Sequence, residues 1–164
     1  GYAEADPSSD LDGEDAAAKL SVLCMLGFGL RVLPAQIDTR TSARLLPDDF
    51  RKATLRGGTI RQLAHAAYDP EKSSLIAWVA PTFVRNETLF ARTTGPENAA
   101  IITGTFAGQV TLTGTGAGGD ATAVAAIGDL IAIARDRAAI VPAPVLKEPK
   151  QVDGLTDHKL AEAV

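Results

Sequence analysis

The sequence has few of the residues that mark several classes of protein. It contains one cysteine, Cys24, so no disulfide can form within the chain. Because Cys24 lies in an apolar run, we expect a buried thiol in a protein of the reducing cytoplasm. The two histidines, His65 and His158, have no second histidine or cysteine at ligand spacing. The chain therefore predicts no zinc site of its own, and it has no Gly-x-Ser-x-Gly motif for a nucleophilic serine.

Clustered positive charge and long apolar runs are also missing. The net charge is -4, from 16 basic and 20 acidic residues, and this balance predicts neither a nucleic acid nor an anionic membrane as a partner. The longest apolar segment, residues 20–30, is too short to span a bilayer. There is no initiator methionine and no signal-peptide pattern. The chain therefore looks like part of a longer protein.

Helical patterns lie towards both ends of the chain, and strand patterns lie between them. A chain of 164 residues with 46% apolar residues is long enough for one compact domain. Residues 12–30 predict a helix with Asp12 as its N-cap and Asp15 at the capping-box position. A second, short helix is expected from about Pro47 to the glycine pair at 57–58.

The middle of the sequence is rich in β-branched residues. Strands are predicted over 59–69 and 73–84, with Pro81 marking a sheet edge or an exit from the sheet. A hairpin over 98–116, a helix over 119–138 and an extended, proline-rich exit over 140–154 follow. This order predicts an α+β fold, with a mixed, largely antiparallel sheet covered by helices. We expect the functional domain to end at residue 142, with residues 143–164 forming a tail of unknown role.

The opening "EADPSSDLDGEDAAAKL", residues 4–20, is the most unusual stretch. It places six carboxylates before a single cation, Lys19, and an apolar run follows. Asp15 and Lys19 have the spacing of an ordinary helical ion pair, worth a few tenths of a kcal/mol. Alternatively, desolvation on an apolar stripe and the nearby Asp15 carboxylate would suit Lys19 to moving a proton. The remaining carboxylates fit either a solvated loop or a site for a cationic ligand group.

A second motif, "GTGAGG", has the pattern G-x-G-x-x-G at Gly114, Gly116 and Gly119. A dinucleotide-binding fingerprint also requires a βαβ unit and an acidic residue at the end of its second strand. Here the preceding strand belongs to a hairpin and that region is still helical. Two interpretations stay open: a turn where backbone approaches a ligand closely, and a tight strand-to-helix turn with no ligand.

The first twenty residues carry a family resemblance. "GYAEADPSSDLDGEDAAAKL" resembles the substrate-binding signature of the homoserine dehydrogenases, approximately G-Y-x-E-x-D-P-x-x-D-x-x-G-x-D-x-x-x-K. The hairpin and the "GTGAGGDATAVAAIGDLIAIAR" segment resemble that family's closing segment, so the likeness covers roughly residues 1–140. It implies an oxidoreductase that uses NADP or NAD to interconvert homoserine and aspartate 4-semialdehyde, in threonine and methionine biosynthesis.

The resemblance also implies roles for individual residues. Lys19 matches the lysine that moves a proton to or from the substrate oxygen, and Asp15 matches the aspartate that assists it. Glu4 matches the carboxylate that binds the substrate amino group, with Asp10 and Tyr2 as further substrate-binding residues. Gly118 matches a backbone position that contacts the nicotinamide cofactor, and Gly116 adjoins it. No metal ligand is predicted in this chain.

Several parts of the family pattern are absent from this chain. The resemblance implies an N-terminal Rossmann domain, which would carry most of the cofactor site and a second lysine, and it implies a homodimer formed through the sheet. Asp120 stands where a neutral residue is expected. An alternative function is a non-catalytic module of the same fold that binds an amino acid or a partner. The Lys19–Asp15 pair argues against that alternative, because a pure binding site needs no proton shuttle.

Overall fold

The protein is described by a computed structural model that covers residues 6–136, 144–156 and 161–163. Helices and strands are mixed along the chain, which confirms the predicted α+β class. The chain divides into two compact units, where the sequence predicted a single domain. The larger unit holds residues 6–91 with 144–156 and 161–163, and the smaller unit holds residues 92–136. The functional boundary at residue 142 stays a prediction.

The larger unit begins with two helices where the sequence predicted one. Helix α1 spans Ser8–Asp12 and helix α2 spans Glu14–Phe28. Gly13 joins them with a φ of 82°, in the left-handed region where a side chain is strained. The predicted capping box is therefore wrong, because Asp12 ends α1 and the N-cap of α2 is Gly13, which has no capping side chain.

Only one stripe of α2 faces the core. Ala17, Leu20 and Cys24 are buried, at the spacing of one helical face. The stripe that contains Val22 and Leu26 is exposed, by 51% and 73%. A helix that is apolar all round is usually buried on every side, but α2 beyond Lys19 is buried on one stripe only. Cys24 is fully buried, as predicted, and burial raises the pKa of its thiol.

A five-stranded sheet forms the centre of the larger unit. Strands β2 (Gly58–Asp69) and β3 (Ser74–Arg85) form an antiparallel pair, with Gly58 opposite Arg85 and Asp69 opposite Ser74. Three short strands run parallel to β3 along its other edge: β1 (Asp38–Thr39), β6 (Gln151–Asp153) and β7 (Ala161–Ala163). The long β2–β3 ladder contains most of the paired residues of this sheet. The sheet is thus mixed and largely antiparallel, as predicted.

Helices cover one face of this sheet. Leu75, Ala77 and Val79 of β3 pack with the buried stripe of α2. Ile60 and Phe83, nearer the other end of the strands, pack with Ala53 of helix α3 (Pro47–Leu55). Proline is the first residue of α3, where its missing N–H breaks no helical hydrogen bond, and this helix lies where the sequence predicts it.

Pro81 lies inside β3, so the predicted edge or exit at this residue is wrong. The backbone N–H of Arg40 donates to the carbonyl of Val79, 2.8 Å away. Alternate residues of a strand turn their backbone polar groups to the same edge, so the Pro81 nitrogen faces the edge that carries β1 and β7. There β1 pairs with residues 78–79 and β7 with residues 82–84. Proline is tolerated because it lies between these two partners.

The tail residues 144–156 return to the larger unit. The Lys147 N–H donates to the carbonyl of Gly29, and its own carbonyl accepts from the N–H of Arg31. Further along, the Leu155 N–H donates to Asp38 Oδ2, 3.0 Å away, and Arg40 Nη2 donates to the Leu155 carbonyl at 2.7 Å. The described part of the predicted exit is therefore extended, and it adds a strand to the sheet.

The smaller unit contains a hairpin and a long helix. A short helix, α4 (Leu89–Arg92), lies where the chain passes from the larger unit to the smaller one. Strands β4 (Glu97–Gly104) and β5 (Gly108–Thr115) then pair antiparallel. Helix α5 then runs over Gly119–Asp136. Both the hairpin and the helix were predicted. Among the described residues, no helix is long and apolar enough to cross a membrane.

Candidate functional site

The Asp15–Lys19 pair lies on the first two turns of α2. Lys19 Nζ is 2.6 Å from Asp15 Oδ2, one helical turn earlier, so the predicted ion pair forms. The side chains are 65% and 45% exposed. Lys19 thus stands in solvent, on the same stripe as the exposed Val22 and Leu26. The sequence predicted that Lys19 would be desolvated, but no part of the larger unit covers its side chain.

A second ion pair of the same spacing has nearly the same distance and exposure as the Asp15–Lys19 pair. In α3, Lys52 Nζ lies 2.8 Å from Asp48 Oδ2, with exposures of 68% and 49%. A hydrogen bond from Lys52 holds the pKa of Asp48 below its usual value. Geometry alone therefore does not distinguish Lys19. Its distinguishing feature is its place at the end of the acidic stretch of residues 4–20, on a stripe that continues into the exposed Val22 and Leu26.

Asp10 is held in place through its backbone. Its carbonyl accepts a hydrogen bond from Gln62 Nε2 of β2, 2.9 Å away, while its side chain is exposed. The Ser42 N–H donates to the neighbouring Leu11 carbonyl at 2.7 Å. Residues 8–12 are helical, so the predicted irregular loop around Asp10 is wrong at this point. Its carboxylate projects from a short helix anchored to the sheet.

Gln62 is a supporting residue that the sequence analysis missed. It lies on β2 opposite Pro81 and places a polar side chain on the sheet face that carries Ile60. The sequence did carry a signal for Gln62, because strand alternation predicts an apolar residue at this position and the residue is polar. We call residues 4–20 the acidic motif. By binding the Asp10 carbonyl, Gln62 fixes the position of this part of the acidic motif relative to the sheet.

Two other motif residues have structural roles. A side chain at Gly13 would approach Val79 Cγ1 to 3.0 Å, so this glycine allows the α1–α2 junction to lie close to the sheet. Asp6 Oδ1 accepts the N–H of Ser8 at 3.0 Å, and this hydrogen bond lowers the pKa of the exposed Asp6 carboxyl. Tyr2 and Glu4, predicted to bind substrate, lie outside the described residues.

The glycine turn belongs to the smaller unit. The Gly116 N–H donates to the Pro96 carbonyl at 2.8 Å, which extends the hairpin by one hydrogen bond. Gly118 has a φ of 115°, in the region that favours glycine. The Gly118 carbonyl accepts from Thr122 N–H at 3.0 Å in the first turn of α5. A tight strand-to-helix turn thus exists at this point.

The turn also has room for a ligand. Side chains added at Gly114 and Gly119 would meet no atom within 4 Å, so the backbone there is open to approach. At Gly116, an added side chain would collide with the amide of Asn98. An open glycine backbone at the start of a helix leaves N–H groups accessible, so the ligand-approach interpretation of this turn stays open beside the purely structural one.

In the described part of the chain, the histidine and acidic side chains form no metal-binding cluster. His65 stacks on Trp78 with ring centroids 5.2 Å apart, and burial lowers the pKa of this histidine. His158 lies outside the described residues. Among the residues that the structure covers, no group of three histidine, cysteine, aspartate or glutamate side chains could hold a metal ion.

Two surface clefts lie elsewhere on the larger unit. One, of about 460 Å³, is lined by Arg56, Gly57, Phe83, Arg85 and Glu87. Arg56 lies over the Phe83 ring, 4.3 Å from its centroid. The other cleft, of about 390 Å³, lies beside α3 and shares Arg56 and Phe83. Neither cleft is lined by a described residue of the acidic motif.

Comparisons with known proteins agree on one family. The family model described as homoserine dehydrogenase matches residues 1–131. The chain is 36% identical over 140 residues to a homoserine dehydrogenase from Mycobacterium tuberculosis, covering 84% of this chain and 32% of that protein. It is 34% identical over 166 residues to one from Pseudomonas aeruginosa, covering 98% of this chain and 36% of that protein.

Solved structures show the same likeness. The crystal structure of a homoserine dehydrogenase from Thiobacillus denitrificans is similar with a TM-score of 0.80 and 31% identity. That likeness covers 93% of this chain and 36% of the other. The chain therefore spans about a third of the length of the relatives it matches.

Proposed function

Because the chain belongs to the homoserine dehydrogenase family, we propose that it is the catalytic portion of an enzyme that interconverts L-homoserine and L-aspartate 4-semialdehyde. The observation that carries this proposal is the Asp15–Lys19 pair on α2. It lies in the part of the chain that the family model matches, beside a stripe of exposed apolar residues. The alternative, a non-catalytic module of the same fold, does not need this pair.

Lys19 is the proton donor and acceptor for the substrate oxygen. A nicotinamide cofactor, NADP or NAD, would when bound supply hydride to the aldehyde carbon or accept it from the alcohol. When the aldehyde gains hydride its oxygen becomes an alkoxide, which takes a proton from the Lys19 ammonium and forms the alcohol. In the reverse direction Lys19 accepts the hydroxyl proton. Asp15 holds the ammonium in position through the 2.6 Å contact.

Other residues bind and orient the substrate. Glu4 would bind the substrate ammonium through a charge-assisted hydrogen bond, and Asp10 and Tyr2 would complete the substrate-binding group. The Asp10 backbone is already fixed by Gln62, which supports a positioned carboxylate at this point. The backbone at Gly116 and Gly118 would contact the nicotinamide, since the turn is open at Gly114 and Gly119.

This chain would be inactive without a further domain. A Rossmann domain N-terminal to residue 1 would supply most of the cofactor site and would cover the Lys19, Val22 and Leu26 stripe, which is exposed here. Removal of water from this face would then strengthen the Asp15–Lys19 interaction. We place the whole protein in the cytoplasm, consistent with the buried free thiol of Cys24.

We further propose a homodimer formed through the sheet face opposite α2, at the end of β3 that carries Ile76. On the face opposite α2, Ile76 is 44% exposed and the His65–Trp78 stack lies beside it. A second copy of the chain would bury this apolar surface.

The test of catalysis is Lys19→Met in the complete protein. The change keeps chain length and apolar contacts, so we expect kcat to fall about 10²- to 10⁴-fold. Cofactor affinity should change little, because the proposal assigns Lys19 to the substrate oxygen, and the free energy of unfolding should fall only slightly, because methionine retains the length and apolar contacts of the lysine side chain. Steady-state kinetics, cofactor titration and urea unfolding measure these three quantities.

Lys52→Met is the matched control. It removes the lysine of the other i,i+4 ion pair, which has nearly the same distance and exposure, and it should leave kcat unchanged. If Lys19→Met also retains near-normal kcat, Lys19 is only an ion-pair partner and the catalytic assignment is wrong.

A further inference from the structure

Asn98 lies in an unusual position on the hairpin. It is directly opposite Gly114 across the β4–β5 pair, so Gly116, two residues further, is its diagonal neighbour on the same face. An ideal side-chain carbon built on Gly116 would lie 2.5 Å from Asn98 Cγ and 3.1 Å from Asn98 Oδ1. The amide of Asn98 therefore occupies the space that a residue at position 116 would need.

The amide lies against Gly116 and is open to solvent. Gly114, directly opposite, and Gly116, on one diagonal, have no side chain that could cover it. Asn98 is exposed, and no described residue forms a hydrogen bond with its side chain. A primary amide offers two donors and one acceptor oxygen. Asn98 thus presents an intact hydrogen-bonding group beside the open backbone of Gly114.

We propose that the Asn98 side chain binds the nicotinamide cofactor through the carboxamide of its ring. A primary carboxamide has the same donor and acceptor pattern as asparagine, so the two groups can exchange paired hydrogen bonds. Gly116 was assigned a backbone contact with the nicotinamide above. It also supports the Asn98 contact, because its missing side chain lets the Asn98 amide lie against the turn. The inference rests on the proposed function, which assigns cofactor contact to this turn.

The direct test uses two cofactors with the complete protein. One is the reduced natural dinucleotide, and the other is its 3-acetylpyridine analogue, in which a methyl group replaces the amide nitrogen of the carboxamide. Fluorescence titration gives the Kd of each. We expect the native protein to bind the analogue about three- to tenfold more weakly, the loss typical of one hydrogen bond. The Asn98→Ala protein should bind the two with nearly equal Kd. Equal discrimination by the native protein and by Asn98→Ala would overturn the inference.

Three further variants separate binding from structure. Asn98→Leu keeps the approximate size of the side chain and removes its hydrogen bonds, so it should bind the natural cofactor as weakly as Asn98→Ala does. Gly116→Ala should displace the amide and give the same loss, but it should add little in the Asn98→Ala background, because both changes act through one group. Gln109→Ala removes an exposed amide at the far end of the same hairpin and should leave the Kd unchanged.

Native cofactor affinity in Asn98→Leu would show that the side chain only packs against the turn, and the inference would be wrong. That result would leave the proposed function intact, because the proposed function is tested by the kcat of the Lys19→Met protein. The homoserine KM at saturating cofactor should stay near its native value in the Asn98 variants, because the substrate contacts assigned above lie elsewhere in the sequence.

Discussion

Gly13 shows how a single residue can position a functional helix. It has a φ of 82°, and a side chain there would also approach Val79 Cγ1 to 3.0 Å. The residue thus lets the chain turn between α1, which carries Asp10, and α2, which carries Asp15 and Lys19. The glycine of the opening motif is explained by backbone conformation and close packing.

We predict that Gly13→Ala lowers the free energy of unfolding by about 1–2 kcal/mol, the cost of a left-handed conformation at a residue with a side chain. Gly27→Ala is the control within α2. Its added carbon would meet no atom within 4 Å, so it should stabilise the protein by up to about 1 kcal/mol through helix propensity. Urea unfolding of both variants measures the difference. Equal stability of the two would contradict the strained role of Gly13.

At the scale of the element, the second edge of β3 is assembled from three short strands that are far apart in sequence. Strands β6, β1 and β7 pair in turn with residues 74–76, 78–79 and 82–84. Asp38 joins β1 to the tail, because its carboxylate accepts the Leu155 N–H and its side chain lies against the Cα of Gly154. The tail after residue 143 thus protects an edge that would otherwise offer unpaired backbone groups.

We predict that Asp38→Ala loosens this part of the tail. The lost hydrogen bond to a partly exposed carboxylate should cost about 1 kcal/mol, and the Leu155 amide should exchange with solvent several-fold faster. Glu148→Ala, which removes an exposed carboxylate from the same segment, should leave that rate unchanged. Amide hydrogen exchange followed by NMR reports both. Native protection of Leu155 in Asp38→Ala would show that other contacts hold the tail.

At the scale of the whole molecule, apolar surface is exposed on each unit. The sheet of the larger unit has helices on one face, while Ile76 on the other face is 44% exposed. In the smaller unit, α5 exposes Val124, Ile127 and Leu130 by more than half. Apolar exposure of this extent is typical of surfaces that pack against another chain or domain. It agrees with a chain that spans about a third of its relatives' length.

We predict that Ile76→Asp converts the complete protein from a dimer to a monomer, because a carboxylate buried in the proposed interface would lose its hydration. Leu55→Asp is the control, since Leu55 on α3 is 88% exposed and lies away from that face. Sedimentation velocity distinguishes the two species. A dimer that persists in Ile76→Asp at native stability would place the interface elsewhere.

Local sequence determined much of the secondary structure. Pro47 and the glycine pair at 57–58 bracket α3, and the glycines after β5 mark the start of α5, because backbone restrictions act within a few residues. The family signature in residues 1–20 likewise carried the candidate catalytic pair, and α2 places Asp15 and Lys19 one turn apart as helical periodicity requires.

Other features depended on parts of the chain that meet only in the folded molecule. Pro81 lies inside β3 because β1 and β7 leave a gap at that position, and no local pattern encodes a gap between two distant strands. The exposure of Val22 and Leu26 depends on which stripe of α2 meets the sheet, since an apolar helix has no polar face to indicate its orientation. The contact of Asn98 with Gly116 likewise required the hairpin register. Sequence thus determined the elements and the candidate catalytic pair, whereas tertiary packing decided which faces and backbone edges are covered, because burial depends on contacts between distant segments.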